Sequence, residues 1–595
     1  MIVASNATLV SGGIRQRLGI SSSKLADAAP EQACGKRIQP EGGDLEQFFK
    51  DKFKKGKLSA VELVQGSNAA PSTDSKLAKC AAGGKHPGNA HRDVMLNLGR
   101  KSKFPDVYSA DLPLWNHDEN QKEWSEAYFL LPYEVVDTMI TDEDLEKLTN
   151  LRPDNPHKAT IDDWRSKMGL DPEVPIAPCG LWGDSAPVGN RDSVTMLLFN
   201  ILCANTSQYR FWVTALCKRS LCNCGCAGMC TFEEIWKVMA WAFAATILRI
   251  YPSVRHDGVP FAQSKRRGDK QRAMKATAKQ RMKATLAPIQ KRADWSWYKQ
   301  ILAFIGWKGE GATGRNCWKC FADHSTVPWT DFRLNALWRS RMMTHRDYIT
   351  YVLNKIGYVP GIFSLPGFCI AYATIDLLHC GCLGVVAYLA GNVLFELFQM
   401  IGGLITSSLK QMGEISRMIK AASKAIGQVR PPMNYITLPM IKLSGKSPTL
   451  RAKGSEARTL LPVLRHIFEN YFPPTCHRDE LRLACIQKLD EVYKSIKAWT
   501  TESPKASECA LYARQHLLLY SELATDALDR QTGNWRLYPK HHQFMHLMED
   551  QITQSGCPND FFTYADESEI GDAVLIAKTC HPLTAQRRII ERYRL

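Results

Sequence analysis

The sequence predicts two structural classes in one chain, an α/β core and a large all-α block that interrupts it. Three observations carry this. From Val174 onward, short apolar runs alternate with turn residues, which is the pattern of strands. From about Phe332 to Trp535, apolar residues recur at helical spacing, as in "RTLLPVLRHIFENYF" and "ASECALYARQHLLLYSELATDAL". Residues 1–105 are rich in Gly, Ala, Ser, Lys and Asp without sustained periodicity, so this N-terminal region is predicted to be largely disordered or of low order.

The elements follow in order. Residues 106–173 are expected to be a helical lead-in. "VPIAPCGLWGD" is a strand ending at Asp184, "APVG" a turn, and "SVTMLLFNILC" and "SQYRFWVTALC" two further strands. "TFEEIWKVMAWAFAATILRIYP" opens on a Thr cap and carries a long apolar face, so it predicts a helix. After a basic interval, "TLAPIQKRAD" is a fourth strand ending at Asp294, and "WSWYKQILAFIGW" an aromatic helix. Three strands, a helix, a strand and a helix is the order of an RNase H-like core. The predicted organisation is therefore 174–330 as that core with a basic insertion at 253–292, 331–535 as an all-α insertion domain, and 536–595 as a C-terminal segment completing the core. No internal repeat is visible.

Composition narrows the classes. The 595 residues are 45% hydrophobic and 23% charged, as in globular proteins, and the length calls for several packed units. An excess of 76 Lys and Arg over 59 Asp and Glu gives +17, which favours polyanionic partners. Nineteen cysteines in so long a chain do not suggest a small secreted disulfide scaffold. The first 30 residues lack the apolar run of a secretory signal, so an intracellular protein is expected; Arg15, Arg17 and Lys24, with no acid before Asp27, leave a transit peptide as an alternative. The stretch 380–405 is long enough to span a bilayer. Asn392, Glu396 and Gln399 interrupt it, so a buried helix is expected and a membrane anchor is the alternative.

Three constellations carry chemistry. "CWKC" (Cys317, Cys320) and "PKHHQFMH" (His542, His546) have zinc-ligand spacing. Joined, they would staple the α/β core to the last segment through one structural Zn²⁺. His541 could replace His542, though His542 and His546 share a helical face. A second cluster, Cys217, Cys222, Cys224, Cys226 and Cys230, is tighter than common zinc modules and stands between a metal site and a structural loop. Phosphoryl transfer on DNA commonly uses two hard metal ions held by carboxylates. Asp184 and Asp294 stand at predicted strand ends, and Asp566, Glu567 and Glu569 offer a third carboxylate from a helix.

These motifs, in this order, resemble those of DDE transposases of the tnp2/CACTA-like type, over roughly residues 170–595. "GDSAPVG" looks like that family's first-Asp strand, and "ADWSWYKQILAF" with "CWKC" like its second. "DLLHCGCLGVV" and "KGSEARTLLPVLRHIF" resemble segments of its insertion, and "PKHHQFMH" its Pro-Lys-x-His-x3-His element. The resemblance implies metal-dependent DNA strand cleavage and strand transfer, with Asp184, Asp294 and Glu567 holding two Mg²⁺ (or Mn²⁺) ions. It also implies Asp376 and His379 near the active site, DNA as partner (transposon ends and target), a possible homodimer, no membrane, and a nuclear location. The basic run holding Lys265, Arg266, Arg267, Lys270, Arg272 and Lys275 is the candidate for contacts to the DNA backbone. The chain departs from the family in lacking a legible N-terminal DNA-binding domain and a glycine before Asp294, and in its short tail after Glu567. A decayed or domesticated copy, or a non-catalytic DNA-binding protein, is the alternative.

Overall fold

The apolar runs after Val174 pair into one four-stranded sheet. In the computed structural model these strands are β3 (Ile176–Pro187), β4 (Ser193–Ile201), β5 (Arg210–Cys217) and β6 (Thr285–Arg292), in the order β5-β4-β3-β6. The first three run antiparallel to their neighbours, and β6 lies parallel to β3. Such a parallel pair needs a crossover, here the helix α1 (Met229–Leu248), whose apolar side chains Phe232, Ile235, Trp236 and Met239 are buried. β5 and β6 are buried at every position, including the polar Arg210 of β5 and Gln290, Lys291 and Arg292 of β6; most of their other residues are apolar. Pro288 is accommodated where the register between β3 and β6 shifts. The structure describes residues 42–69, 76–80, 87–99, 102–189, 192–202, 209–304, 314–402 and 407–595.

Alternation along β3 sends successive side chains to opposite faces. Gly183 faces Trp297 of helix α2 (Trp295–Leu302). Gly180 faces the other way, where a Cβ would collide with the Arg292 guanidinium. Trp182 and Asp184 share that second face. It is covered by the C-terminal helix α8 (Tyr564–Lys578), while α9 (Pro582–Tyr593) lies against β5.

Between α2 and these helices comes the helical block. Its main elements are a π-helical turn (Leu377–Val386) running into α3 (Ala387–Gly402), then α4 (Gly454–Asn470), α5 (His477–Lys497) and α6 (Ala506–Asp529). Helix α7 (Pro539–His546) follows. The block does not have a core of its own, because its buried residues run into those of the sheet as one apolar cluster. Leu377–Gly402 is long and apolar enough to cross a membrane, yet 83% of its most apolar window is buried inside the protein. Its interrupting polar residues are spoken for: Asn392 Oδ1 accepts from the Trp535 backbone amide at 2.8 Å, and Glu396 accepts from Arg478, Arg482 and the Trp535 indole. Gln399 is exposed.

Two expectations are corrected. The lead-in 106–173 is not wholly helical, because β1 (Tyr108–Asn116) and β2 (Gln121–Phe129) form an antiparallel hairpin there. Its alternation was obscured by the polar, largely exposed outer face of β2. The aromatic helix after Asp294 ends at Leu302, where Ala303 turns left-handed at φ 55°. Of the low-order N-terminal region, residues 1–41 lie outside the described residues; Gly42–Lys54, Ala60–Ala69 and Pro87–Gly99 are helices around a small separate cluster that includes Phe53, Leu63 and Val64.

The packing of α3 makes a test. A Cβ on Gly391 would stand 2.4 Å from the Thr449 Cα, a backbone atom that cannot swing aside, beside the Leu450 N–H to Ala387 carbonyl bond of 2.9 Å. Gly391→Ala is therefore expected to destabilise the protein by about 1–3 kcal/mol, measured by denaturant unfolding. An unchanged midpoint would show that α3 does not pack there.

Candidate active site and metal centre

The parallel register of β3 and β6 brings two of the predicted carboxylates together. Trp182 pairs with Arg292, so Asp184 and Asp294, each two residues on, emerge side by side at the carboxyl end of the pair. Asp294 also caps α2, accepting from the Trp297 amide at 2.7 Å.

The third carboxylate is decided by how α8 sits on the sheet. Asp566 is buried and accepts from Arg210 of β5 and from Arg292 of β6, the latter at 3.1 Å. Glu569 accepts from the Trp212 indole at 2.6 Å. Both are thereby committed to holding the helix. Glu567, on the intervening side, points instead toward Asp184 and His379, whose Nε2 lies 3.8 Å from Glu567 Oε1. That oxygen is buried and accepts no hydrogen bond.

Asp376 and His379 support this corner from the helical block. Asp376, buried, accepts from His379 Nδ1 at 2.7 Å and, through its other oxygen, from the Thr563 amide at 3.2 Å. The same aspartate thus orients the histidine and fastens the start of α8. A cavity of about 320 Å³ adjoins it, lined by Asp294, Asp376, His379 and Lys540 among others. Lys540 is a site residue for which sequence reasoning had no role, although it lies within "PKHHQFMH". Burial lowers its pKa, against the raising pull of Cys380, Asp294 and Asp376.

The electrostatics are those of crowded, partly buried carboxylates in which burial and mutual repulsion outweigh the opposing charge of His379. Burial, then the charge of Asp294, raises Asp184 to about 6. Burial, then the charge of Asp184, raises Glu567 to about 7. Burial alone would lower His379, but its hydrogen bond to Asp376 and the surrounding carboxylates outweigh this and lift it to about 9. Three oxygen-donor side chains, one with an unsatisfied buried oxygen, fit a hard divalent cation in chemical type.

The cysteine and histidine pairs do meet. Cys317, Cys320, His542 and His546 are all buried, with their ligand atoms within 4.8 Å of one another. His542 and His546 are one turn apart on α7, and both Nε2 atoms face Cys320 Sγ, at 3.2 and 3.3 Å. Their outer nitrogens explain why. His542 Nδ1 lies 3.0 Å from the Trp329 carbonyl, which only accepts, and His546 Nδ1 lies 2.5 Å from the Asp550 carboxylate. Each Nδ1 therefore carries the proton and leaves the Nε2 lone pair free for a metal. Cys317 Sγ accepts from the Lys319 amide and the Gln543 side chain, as a thiolate does. Two sulfurs and two imidazoles are a zinc donor set, so this group could hold a structural metal such as zinc. His541 is not part of it; its Nδ1 bonds the Tyr538 backbone and its ring lies against Tyr520.

The basic run divides. Lys265, Arg267 and Lys270 are exposed. Arg266 pairs with Asp111 at 2.5 Å, and Lys275 donates to the Tyr251 hydroxyl at 3.2 Å. Arg272 is a correction to the expected DNA contacts, because it is buried between Glu134, at 2.7 Å, and Asp269.

No family model matches the chain, and no curated protein matches it.

Two outcomes follow from this geometry. Asp566→Ala removes the buried carboxylate that Arg210 and Arg292 share, so a loss of about 3–5 kcal/mol in unfolding free energy is expected. The raised pKa of Glu567 means that the metal-free folded state is strained once this group ionises, so its contribution is complete below the unfolded value near 4.5 and fades as pH rises through about 7. Glu567→Gln stays neutral, so in chelator its melting temperature should gain on the parent between pH 5 and 8. A difference independent of pH would place Glu567 outside the carboxylate cluster.

Proposed function

We propose that the chain is a DDE transposase-like protein that cuts and transfers DNA strands, built on an RNase H-like core with a helical insertion. The observation that carries this is the convergence of Asp184, Asp294 and Glu567, from two strand ends and a C-terminal helix, on one partly buried corner. The sheet order β5-β4-β3-β6, with only β6 parallel, supports the core.

Asp184, Asp294 and Glu567 would hold the catalytic ions, two Mg²⁺ or Mn²⁺. Bound there, such ions supply activation of the attacking oxygen and stabilisation of the leaving one in phosphodiester hydrolysis and strand transfer. The chain's own groups do the rest. Asp376 holds His379 against Glu567 and so fixes where that carboxylate points. Lys540, across the cavity, offers a positive charge to a phosphate. The exposed Lys265, Arg267 and Lys270 would meet the DNA backbone at a salt-dependent affinity, and a nuclear site of action would follow from that substrate. The Cys317, Cys320, His542 and His546 group carries no chemistry in this scheme; it ties α7, and the chain leading into α8, to the core.

The test is nicking of supercoiled DNA by the full chain with Mg²⁺ or Mn²⁺. Asp184→Asn, Asp294→Asn and Glu567→Gln should each fall to background, and Asp376→Asn by about 10–100-fold. Salt-sensitive DNA binding without nicking by the parent would leave a non-catalytic binding protein. Nicking that survives all three carboxylate variants would refute the site.

A further inference from the structure

The loop between β5 and α1 gathers four thiols that the proposed reaction does not use. Cys222, Cys224, Cys226 and Cys230 place their sulfurs within 4.8 Å of one another, and Cys217, in β5, is not among them. In sequence the spacing of one residue between ligands looked too tight. The backbone resolves this. Gly225 (φ 91°), Ala227 (φ 53°) and Gly228 (φ 89°) are left-handed, and the loop is closed by Gly228 N–H to the Cys222 carbonyl and Met229 N–H to the Cys226 carbonyl, both 3.0 Å. The chain therefore coils tightly enough for alternate residues to converge, and Cys230 joins from the first turn of α1.

We propose that Cys222, Cys224, Cys226 and Cys230 form a second zinc site, made of four thiolates and separate from the Cys317, Cys320, His542 and His546 group. The Sγ atoms of Cys224 and Cys230 are 3.7 Å apart. Zn–S bonds of about 2.3 Å in a tetrahedron set neighbouring sulfurs about 3.8 Å apart. A disulfide needs about 2.05 Å, so this pair is spaced for an ion between them and not for a bond to each other. Four anionic sulfurs around a dication keep a net negative charge. Lys218, Arg219, Lys299 and Lys355, which line the adjoining cavity with Cys222, supply positive charge nearby. The site also has something to fasten. Cys222 N–H donates to Thr231 Oγ1, which donates to the Pro113 carbonyl of β1, so the loop joins the hairpin, the sheet and the start of the crossover helix.

The experiment is metal analysis of the full chain, purified reduced and without chelator. The parent should carry about two zinc ions, and Cys317→Ser and Cys224→Ser/Cys226→Ser about one each. Cobalt-substituted protein separates the sites by readout: Cys317→Ser should keep the sulfur-to-cobalt absorption of a four-sulfur site, and the double variant only the weaker two-sulfur one. If the double variant precipitates, the cobalt spectrum of the parent decides, and absence of a four-sulfur component refutes the site. The proposal is also overturned by zinc unchanged in the double variant, by iron in place of zinc, or by recovery of a Cys224–Cys230 disulfide from reduced protein.

Discussion

Asp566 lies between two arginines from different strands, Arg210 and Arg292, with all three side chains removed from water. A carboxylate can satisfy both guanidiniums only at one position along and around α8, so the contact sets the helix's register on the sheet in a way that apolar packing alone does not. Arg292 is itself held by Gln290 and Asn200, at 2.6 and 2.7 Å, and the space it occupies exists because position 180 has no side chain. Glu569 on Trp212 gives a second fixed point along the same helix. With those two residues docked, the direction of Glu567 is no longer free. The candidate site thus depends on a polar lattice that is not itself part of it.

How much of this could be read from residues differs by element. The strands β3 to β6 were legible because both of their faces are covered, which leaves largely apolar runs, although β6 ends on the buried Gln290, Lys291 and Arg292. The hairpin was not, since β2 turns a polar face to solvent and pairs with a strand whose own pattern is broken by Pro113. The Cys317–Cys320 and His542–His546 pairs were legible from spacing, and the α7 periodicity chose His542 over His541. The partners that aim the imidazoles, the Trp329 carbonyl and Asp550, leave no such signature. Asp566, Glu567 and Glu569 look alike in sequence, and the choice of Glu567 rested on resemblance; what separates them physically is contact with strands far away in the chain. Arg272 read as part of a basic surface for the same reason, because its partner Glu134 is distant in sequence.

The helical block shows the same economy of buried polarity. Glu396 and Asn392, which break the apolar stretch in sequence, tie α3 to α5 and to the chain around Trp535. Buried charge in a helix of this kind is tolerable only where partners of opposite sign are packed against it, and Arg478 and Arg482 supply them. At the other end of the same helical stretch, Asp376 reaches across to the first residues of α8. The block is therefore a structural member of the sheet's surroundings and shares its core.

That last contact has a consequence for biosynthesis. Asp184 and Glu567 are separated by roughly 380 residues, which a ribosome adding about 5–20 residues per second takes on the order of half a minute to supply. During that interval Arg210 and Arg292 have been made but their carboxylate partner has not, and the amide that Asp376 will accept from does not yet exist. Until α8 emerges, the two guanidinium charges of the sheet lack the carboxylate that joins them in the folded protein. A chain cut before α8 would lack both the carboxylate that joins Arg210 to Arg292 and the Glu567 of the candidate site, so one helix completes the docking on the sheet and the composition of that corner together.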